Sequence, residues 1–179
     1  DVDVVRQKKD VAAFKDPLIT FACNLTAIIE HQGHLRINEI GRFLSEAKGD
    51  VTIPAEGVPI LWIEGEAKAA DLAPLENFPP DAFGAVVFDF SPKNVGSKPA
   101  HLKSLTQLRR LDLQLANLAE ADLEQLATLS KLEFLNLSGS YKVSDSGVGT
   151  IVKNHPALRC LKLTHAQVTD EGLSQLKAL

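Results

Sequence analysis

The stretch Leu108-Arg-Arg-Leu-Asp-Leu113 is followed by two segments of the same form, Leu132-Glu-Phe-Leu-Asn-Leu137 and Leu158-Arg-Cys-Leu-Lys-Leu163. All three read L-x-x-L-x-L, and their last leucines are Leu113, Leu137 and Leu163. In a short strand the alternating leucines point to one face and the residues between them point to the other. One such strand cannot cover its apolar face alone, so copies with a period of roughly 20 to 29 residues stack on one another. The pattern predicts three neighbouring parallel strands.

Two weaker copies, Leu61-Trp-Ile63 and Phe88-Asp-Phe90, precede these segments at similar steps. The sequence comparison aligns Phe88-Asp-Phe90 with Leu111-Asp-Leu113. One more step backwards reaches Leu35-Arg-Ile37, followed by the helix-like Ile40–Ala47, and we interpret this region as a cap or a degenerate first repeat. The alternation predicts one parallel sheet with strands near residues 60–64, 86–91, 110–114, 134–138 and 160–164.

The segments between the strands have the features of short helices. Ala119–Leu129 places Leu123 and Leu126 on one stripe, which is the spacing of an amphipathic helix. Ser144 and Thr169 each open such a segment with a hydroxyl that can cap free N–H groups. Small residues occupy the turn three positions after the last leucine of each strand: Ala116, Ser140 and Ala166.

At these residues the chain resembles a known family. Val168-Thr-Asp-Glu-Gly-Leu173 and Val143-Ser-Asp-Ser-Gly-Val148 resemble the V-T-D-x-G-L element of the cysteine-containing subclass of leucine-rich-repeat proteins and of similar bacterial arrays. The resemblance covers residues 102–179 closely and 58–101 loosely. It implies an α/β fold, a right-handed solenoid with parallel strands on the concave face and helices on the convex face. It also implies a binding scaffold without catalytic residues. The turn position that is often Cys or Asn in such repeats is Ala or Ser here, so no asparagine ladder is expected.

We expect the chain to have two parts. Residues 58–179 form the leucine-rich-repeat solenoid of about five coils, the last one incomplete. Residues 1–57 form an N-terminal, mainly helical cap, because the first core layer of a solenoid otherwise meets water. Within this cap, Asp1–Lys15 is helix-compatible and Ala27–Ile37 is compatible with a hairpin that turns at Gln32-Gly33. No F-box-like segment is recognisable there, which argues against the adaptor role of some members of the subclass.

Charge and hydropathy exclude several classes of partner. The formal net charge is -4 and the pI is near 5.7, so no overall basic field attracts phosphate backbones, and nucleic acid is not expected as a partner. The longest apolar runs are far shorter than the roughly 20 residues of a membrane span, so no such span is expected. Cys23 and Cys160 lie far apart in apolar surroundings, as small buried hydrophobic residues do. The sequence assigns no localisation.

Few residues suggest chemistry. Cys23, Glu30, His31 and His34 are the one group with metal-ligand residue types, but no C-x-x-C or H-E-x-x-H accompanies them, so we interpret them as a solvated turn. The sequence contains no G-x-G-x-x-G, Walker loop or G-x-S-x-G. We therefore expect a protein that is not an enzyme and has no metal or cofactor.

The candidate binding residues are those between the core positions of the strands, because they face outward on the concave side. Such a face mixes aromatic, charged and amide side chains, and Trp and Arg are frequent at interface hot spots. The alternative is an ordinary solvated sheet face, with Trp62 packed under the cap. The predicted partner-binding residues are Trp62, Asp89, Arg110, Asp112, Phe134, Asn136 and Lys162.

Two functions remain open from the sequence. The first is a non-catalytic scaffold that binds a protein partner through the concave face. The second is a structural or assembly module, a homo-oligomer included, that associates through an uncapped C-terminal coil, because an exposed last coil leaves apolar surface and a strand edge open.

Overall fold

The computed structural model describes residues 18–23, 33–37, 42–46, 49–54, 59–65, 69–90, 98–116 and 118–179. Within these ranges the strands are β1 (Leu18–Cys23), β2 (Gly33–Ile37), β3 (Arg42–Glu46), β4 (Gly49–Pro54), β5 (Pro59–Gly65), β6 (Ala85–Phe90), β7 (Arg110–Asp112), β8 (Phe134–Asn136) and β9 (Cys160–Lys162). The α-helices are α1 (Glu120–Glu124), α2 (Asp145–Asn154) and α3 (Asp170–Gln175). Short 3-10 helices span Ala69–Asn77, Lys98–Leu102 and Leu176–Ala178.

Seven of these strands form one sheet in the order β3-β2-β5-β6-β7-β8-β9. Every neighbouring pair from β5 to β9 is parallel, which confirms the predicted five-stranded parallel sheet. Arg110 lies opposite Phe134, and Phe134 lies opposite Cys160. One step of the sequence repeat in this region is therefore the step from one strand to its neighbour. We call each of β7, β8 and β9, with the chain that follows it, a unit.

The leucines of the L-x-x-L-x-L segments form the core. Leu111, Leu113, Leu135 and Leu137 have no exposed surface, and they belong to one hydrophobic cluster. The predicted helix stripe packs into the same cluster, with Leu123 at 1% exposure. The alternation of leucine with other residues thus places one face of the sheet against the return segments, as strand geometry requires.

The turn after each strand has the same geometry in all three units. The N–H of Ala116 donates to the carbonyl of Leu113 at 3.0 Å, and Ser140 and Ala166 make the equivalent bond at the same distance. Ala116 and Ser140 are buried, as expected for small residues at an inward bend. The residue before each of them has a positive φ, at Leu115 (61°), Gly139 (82°) and His165 (62°).

Two of the return helices are capped at the predicted residues, and the third, α1, is shorter than the predicted helix Ala119–Leu129. The Ser144 hydroxyl accepts from the N–H of Ser146, and the Thr169 hydroxyl accepts from the N–H of Glu171, both at 3.3 Å. Helix α1 ends at Glu124, and the chain continues to Leu129 in successive three-residue turns. Leu126 and Leu129 are completely buried by these tight turns. The predicted burial of these leucines on one side therefore does not need a full helix.

The described residues of the N-terminal part are not helical, unlike the mainly helical cap predicted there. The described residues of 1–57 form four strands, and β1 pairs antiparallel with β4 in a separate two-stranded sheet. These strands contain several β-branched and aromatic residues, which favour extended backbone. The predicted helix at Ile40–Ala47 contains β3 instead, because periodicity does not separate strand from helix in a short apolar run. The predicted helical segment Asp1–Lys15 lies outside the described residues.

Strand β2 is not a degenerate first repeat. It pairs antiparallel with β5, with Leu35 opposite Leu61, whereas a repeat of the same kind pairs in parallel. Of the hairpin predicted for Ala27–Ile37, the structure describes only residues 33–37, which form β2 with β3 on one edge and β5 on the other; residues 27–32 lie outside the described residues. The antiparallel strands β2 and β3 therefore occupy the edge of β5 that a preceding repeat would use.

The register of β6 differs from the predicted one by two positions. Val86 and Val87 lie opposite Leu111 and Asp112, whereas the sequence comparison placed Phe88 and Asp89 there. Val86, Phe88 and Phe90 alternate with other residues, so a shift of two preserves the apolar face and the pattern does not select one alignment. The shift moves Asp89 about 7 Å along the strand from its predicted position.

Candidate functional site

The candidate site lies on the face of the parallel sheet that points away from the core. Leu111 and Leu135 are fully buried, while Arg110 is exposed and Phe134 is half-buried. Two rows of outward residues cross β7, β8 and β9 on this face. The first row consists of Arg110, Phe134 and Cys160, and the second row consists of Asp112, Asn136 and Lys162.

Phe134 is the centre of a cluster that we call the Phe134 stack, which consists of Arg110, Phe134 and Lys162. Arg110 Cζ lies 3.8 Å from the centroid of the ring, and Lys162 Nζ lies 5.5 Å from it. A cation within about 6 Å of a ring face is attracted by the quadrupole of the ring. Among the described residues no carboxylate forms an ion pair with either cation. The stack therefore fixes two positive groups while leaving their N–H donors available to a ligand.

A hydrogen-bonded pair lies beside the stack in the second row. Asn136 Nδ2 donates to Asp112 Oδ1 at 2.9 Å, and Asn136 Oδ1 accepts from the N–H of Ser138 at 3.0 Å. The N–H of Gln114 also donates to Asp112 Oδ1, at 3.2 Å. Asn136 is only 3% exposed, so this side chain positions its neighbours and offers little surface to a partner.

A third row of charges lies at the residue before each strand. Arg109 Nη1 lies 3.4 Å from Glu133 Oε1, and both side chains are about half exposed. The equivalent residue in the β9 unit is Arg159, which is exposed and has no ion pair among the described residues. An exposed pair of this kind contributes little to stability.

Five of the seven predicted site residues lie together on β7, β8 and β9. The other two lie on the neighbouring strands. Trp62 is in line with the second row, as predicted, because it lies opposite Val87 and Val87 lies opposite Asp112. Asp89 lies opposite Glu64, two positions beyond that row. For Trp62, Asp89 and Cys23 the structure describes the backbone but not the side chain. Cys160 is partly exposed at the end of the first row rather than buried.

A ladder on the return segments was not foreseen from the sequence. Ser144 Oγ donates to Glu120 in the preceding unit, and Thr169 Oγ1 donates to Asp145 Oδ2 at 2.6 Å. The N–H of Thr169 also donates to Asp145 Oδ1 at 2.8 Å. These hydroxyl bonds lower the pKa of the Glu120 and Asp145 carboxyls from their ordinary values. The signal in the sequence is the hydroxyl followed by an acid, at 144–145 and again at 169–170.

One histidine is buried between two units. His155 is 1% exposed, and its Nδ1 lies 3.2 Å from the carbonyl oxygen of Leu129. Burial lowers the pKa of the imidazole, and the bond to the Leu129 carbonyl opposes that change only partly. His155 is therefore a structural group that is neutral at pH 7.

The described residues contain no group of three or more His, Cys, Asp or Glu side chains placed to hold a metal ion. The predicted turn with metal-ligand residue types is described only at Cys23, in β1, and His34, in β2, which belong to different sheets. Glu30 and His31 lie outside the described residues. In the described part of the chain no helix has the length and hydropathy needed to cross a membrane.

The chemistry that the site offers is recognition by charge, aromatic contact and hydrogen bonding. Arg110 presents a planar fork of donors, and Lys162 presents a point charge of the same sign. Neither a scan of protein-family models nor a search of curated proteins finds a match to the chain.

Proposed function

We propose that the chain is a leucine-rich-repeat protein that binds a protein partner through the outward face of its parallel strands, without catalysis. The support for a repeat architecture is the parallel pairing of β7, β8 and β9 in the register of the L-x-x-L-x-L repeat. The turns with a positive φ and the hydroxyl-to-carboxylate bonds also recur from unit to unit. Repeats that stack in this way form a solenoid with strands on the concave face.

The observation that carries the binding role is the Phe134 stack. An exposed Arg and a half-buried Phe lie on the side of the strands opposite the core, where folding does not require large side chains. Arg and aromatic residues are enriched where protein interfaces concentrate their binding energy. The stacked geometry also limits the freedom of the Arg110 side chain before a partner arrives, which lowers the entropy cost of binding.

The test is to isolate a partner by affinity capture with the full chain and to titrate variants against it by calorimetry. Arg110→Ala and Phe134→Ala are each expected to weaken binding by about 2 kcal/mol, roughly thirtyfold. Glu124→Ala is the matched control, because Glu124 is exposed on α1. If both face variants stay folded and bind like the unmodified chain, the strand face is not the binding site.

A second candidate function is association of two copies through the β9 unit. Leu161 and Leu163 are only partly buried, and Leu173 and Leu179 are 52% and 44% exposed. Strand β9 pairs only with β8 among the described strands. Analytical ultracentrifugation of the unmodified chain and of Leu173→Lys tests this function. A dimer that Leu173→Lys dissociates supports it, and a monomer at all concentrations excludes it.

A further inference from the structure

We infer that the partner segment recognised by this face is an acidic, extended peptide whose carboxylates bind Arg110 and Lys162 on either side of Phe134. This inference rests on the proposed binding function of the strand face and adds the chemistry of the partner. It is carried by the local charge and by the geometry of the Phe134 stack.

The last three units carry a local charge opposite in sign to the charge of the chain. Their two outward rows and the row before the strands contain the cations Arg109, Arg110, Arg159 and Lys162 and the carboxylates Asp112 and Glu133. These three rows therefore carry a net charge of +2, while the whole chain carries -4. A local excess of one sign on a protein of the other sign attracts a complementary segment and disfavours like-charged ones.

The two carboxylates of these three rows already have partners. Glu133 pairs with Arg109, and Asp112 accepts from Asn136 and from the N–H of Gln114. Arg110 and Lys162 keep no carboxylate partner among the described residues, although both lie against one ring. Each of these two like charges is stabilised when an anion approaches it. A carboxylate is the group in proteins that meets this need.

The geometry favours an extended peptide that crosses the strands. Arg110 lies on β7 and Lys162 on β9, so one strand separates them and a ligand that reaches both must span about 10 Å across the sheet. Successive side chains of an extended chain point to opposite faces, so acidic residues four positions apart face the sheet together and reach the two cations, and the side chain midway between them faces the sheet as well. An apolar side chain between those residues meets the exposed part of Phe134. A guanidinium stacked on a ring still presents its N–H edge for bidentate contact with a carboxylate.

A nucleic acid fits the face less well. A duplex or single strand carries a phosphate charge at every nucleotide and binds best to extended basic surfaces. The positive face here spans three strands on a chain with an overall charge of -4, so longer phosphate chains meet repulsion beyond it. The occupant to which the structure points is a short acidic segment.

The experiment is a selection of random twelve-residue peptides displayed on phage against the full chain. We expect Asp and Glu to be enriched severalfold over the unselected library, with an apolar residue between two acids. Selected peptides, synthesised with a fluorescent label, are then titrated by anisotropy. Arg110→Gln and Lys162→Gln should each raise Kd about tenfold, as expected for the loss of one charge-assisted contact. Lys153→Gln, which removes an exposed cation from α2, should leave Kd unchanged.

The outcomes separate this inference from the proposed function. Selected peptides that are neutral or basic but are weakened by Phe134→Ala would overturn the acidic partner and keep the strand face as the binding site. Peptides that bind the unmodified chain, Arg110→Gln and Phe134→Ala equally would overturn both. A failure to enrich any peptide, or tighter binding of a labelled twelve-nucleotide oligothymidine that depends on Arg110 and Lys162, would also overturn the acidic-peptide assignment.

Discussion

The β8 unit and the β9 unit share one sequence pattern but differ in how well they bury it. Leu135 and Leu137 are completely buried, whereas Leu161 and Leu163, at the equivalent positions, are only partly buried. Among the described strands, β8 has a neighbour on both sides and β9 has one on a single side. Burial in this sheet thus depends on the neighbouring strands as much as on the residue itself. The difference predicts unequal energies for equal substitutions.

The largest expected effect is the loss of a core leucine from the β8 unit. Leu135→Ala should lower the free energy of unfolding by about 2–5 kcal/mol, because it leaves a cavity between two layers. Leu161→Ala should cost clearly less, since its side chain already meets solvent on one side. Urea unfolding measures both, with Glu133→Ala as a control expected to change stability by about 0.5 kcal/mol. Equal losses at Leu135 and Leu161 would contradict the role of the neighbouring unit.

The next effect concerns the turn in which the two units carry different residues. Gly139 has a φ of 82°, and a Cβ there would lie 2.7 Å from the Leu115 Cδ2 atom. Gly139→Ala should therefore destabilise the fold by about 1–2 kcal/mol. His165, at the equivalent position of the β9 unit, already has a positive φ of 62°. His165→Gly should relieve that strain and raise stability by at most about 1 kcal/mol. Thermal melts that move in the same direction for the two variants would refute the shared turn geometry.

The helix caps should behave alike in the two units. Ser144→Ala and Thr169→Ala each remove a capping hydroxyl and a bond to the carboxylate of the preceding unit. Each should cost about 1 kcal/mol, because a cap depends on its own helix and not on a following strand. Thr128→Ala, at a position outside the helix caps, is the control for a lost hydroxyl. A loss confined to one of the two caps would show that the ladder is not uniform.

The smallest effect near neutral pH comes from the histidine between the β7 and β8 units. The folded pKa of His155 lies below its ordinary value of about 6.5, because burial disfavours the charged form. The stability that His155 contributes is therefore fully present above about pH 6.5. It decreases as the pH falls below this value, because the unfolded chain then takes up a proton that the folded chain does not. Stability measured between pH 8 and pH 5 should decline less in His155→Leu than in the unmodified chain. A parallel decline in both would assign the acid sensitivity to other groups.

The sequence predicted the parallel strands because leucines in fixed positions report burial directly. The six-residue segments that contain Leu111, Leu135 and Leu161 align position by position, and this alignment is the register in the sheet. The register of β6 was wrong by two because its alternating apolar residues, Val86 among them, admit several equivalent alignments. The antiparallel strands of residues 18–54 have no repeat to align, so their pairing depends on contacts between distant residues that no local pattern encodes.

The site was predicted in part for the same reason. Arg110 and Phe134 follow from the position between two core leucines, and the structure brings them into contact. The burial of Asn136 was missed, because an outward position in the sequence does not indicate that its amide will donate a hydrogen bond to a neighbour such as Asp112. The ladder from Glu120 to Ser144 was missed because it joins residues on successive return segments, where the spacing of leucines carries no information.

The hydroxyl-to-carboxylate bonds of the return segments run in one direction from unit to unit. Glu120 of the β7 unit accepts from Ser144 of the β8 unit, and Asp145 of the β8 unit accepts from Thr169 of the β9 unit. Asp170 follows Thr169 as Asp145 follows Ser144, so Asp170 is the equivalent hydrogen-bond acceptor of the β9 unit. In a twofold dimer through the β9 units, Asp170 would face its own copy only on the axis, so the ladder does not decide against such a dimer. A copy that continued the ladder in the same direction would instead present a different surface, with a donor, to Asp170, and that contact would be heterologous.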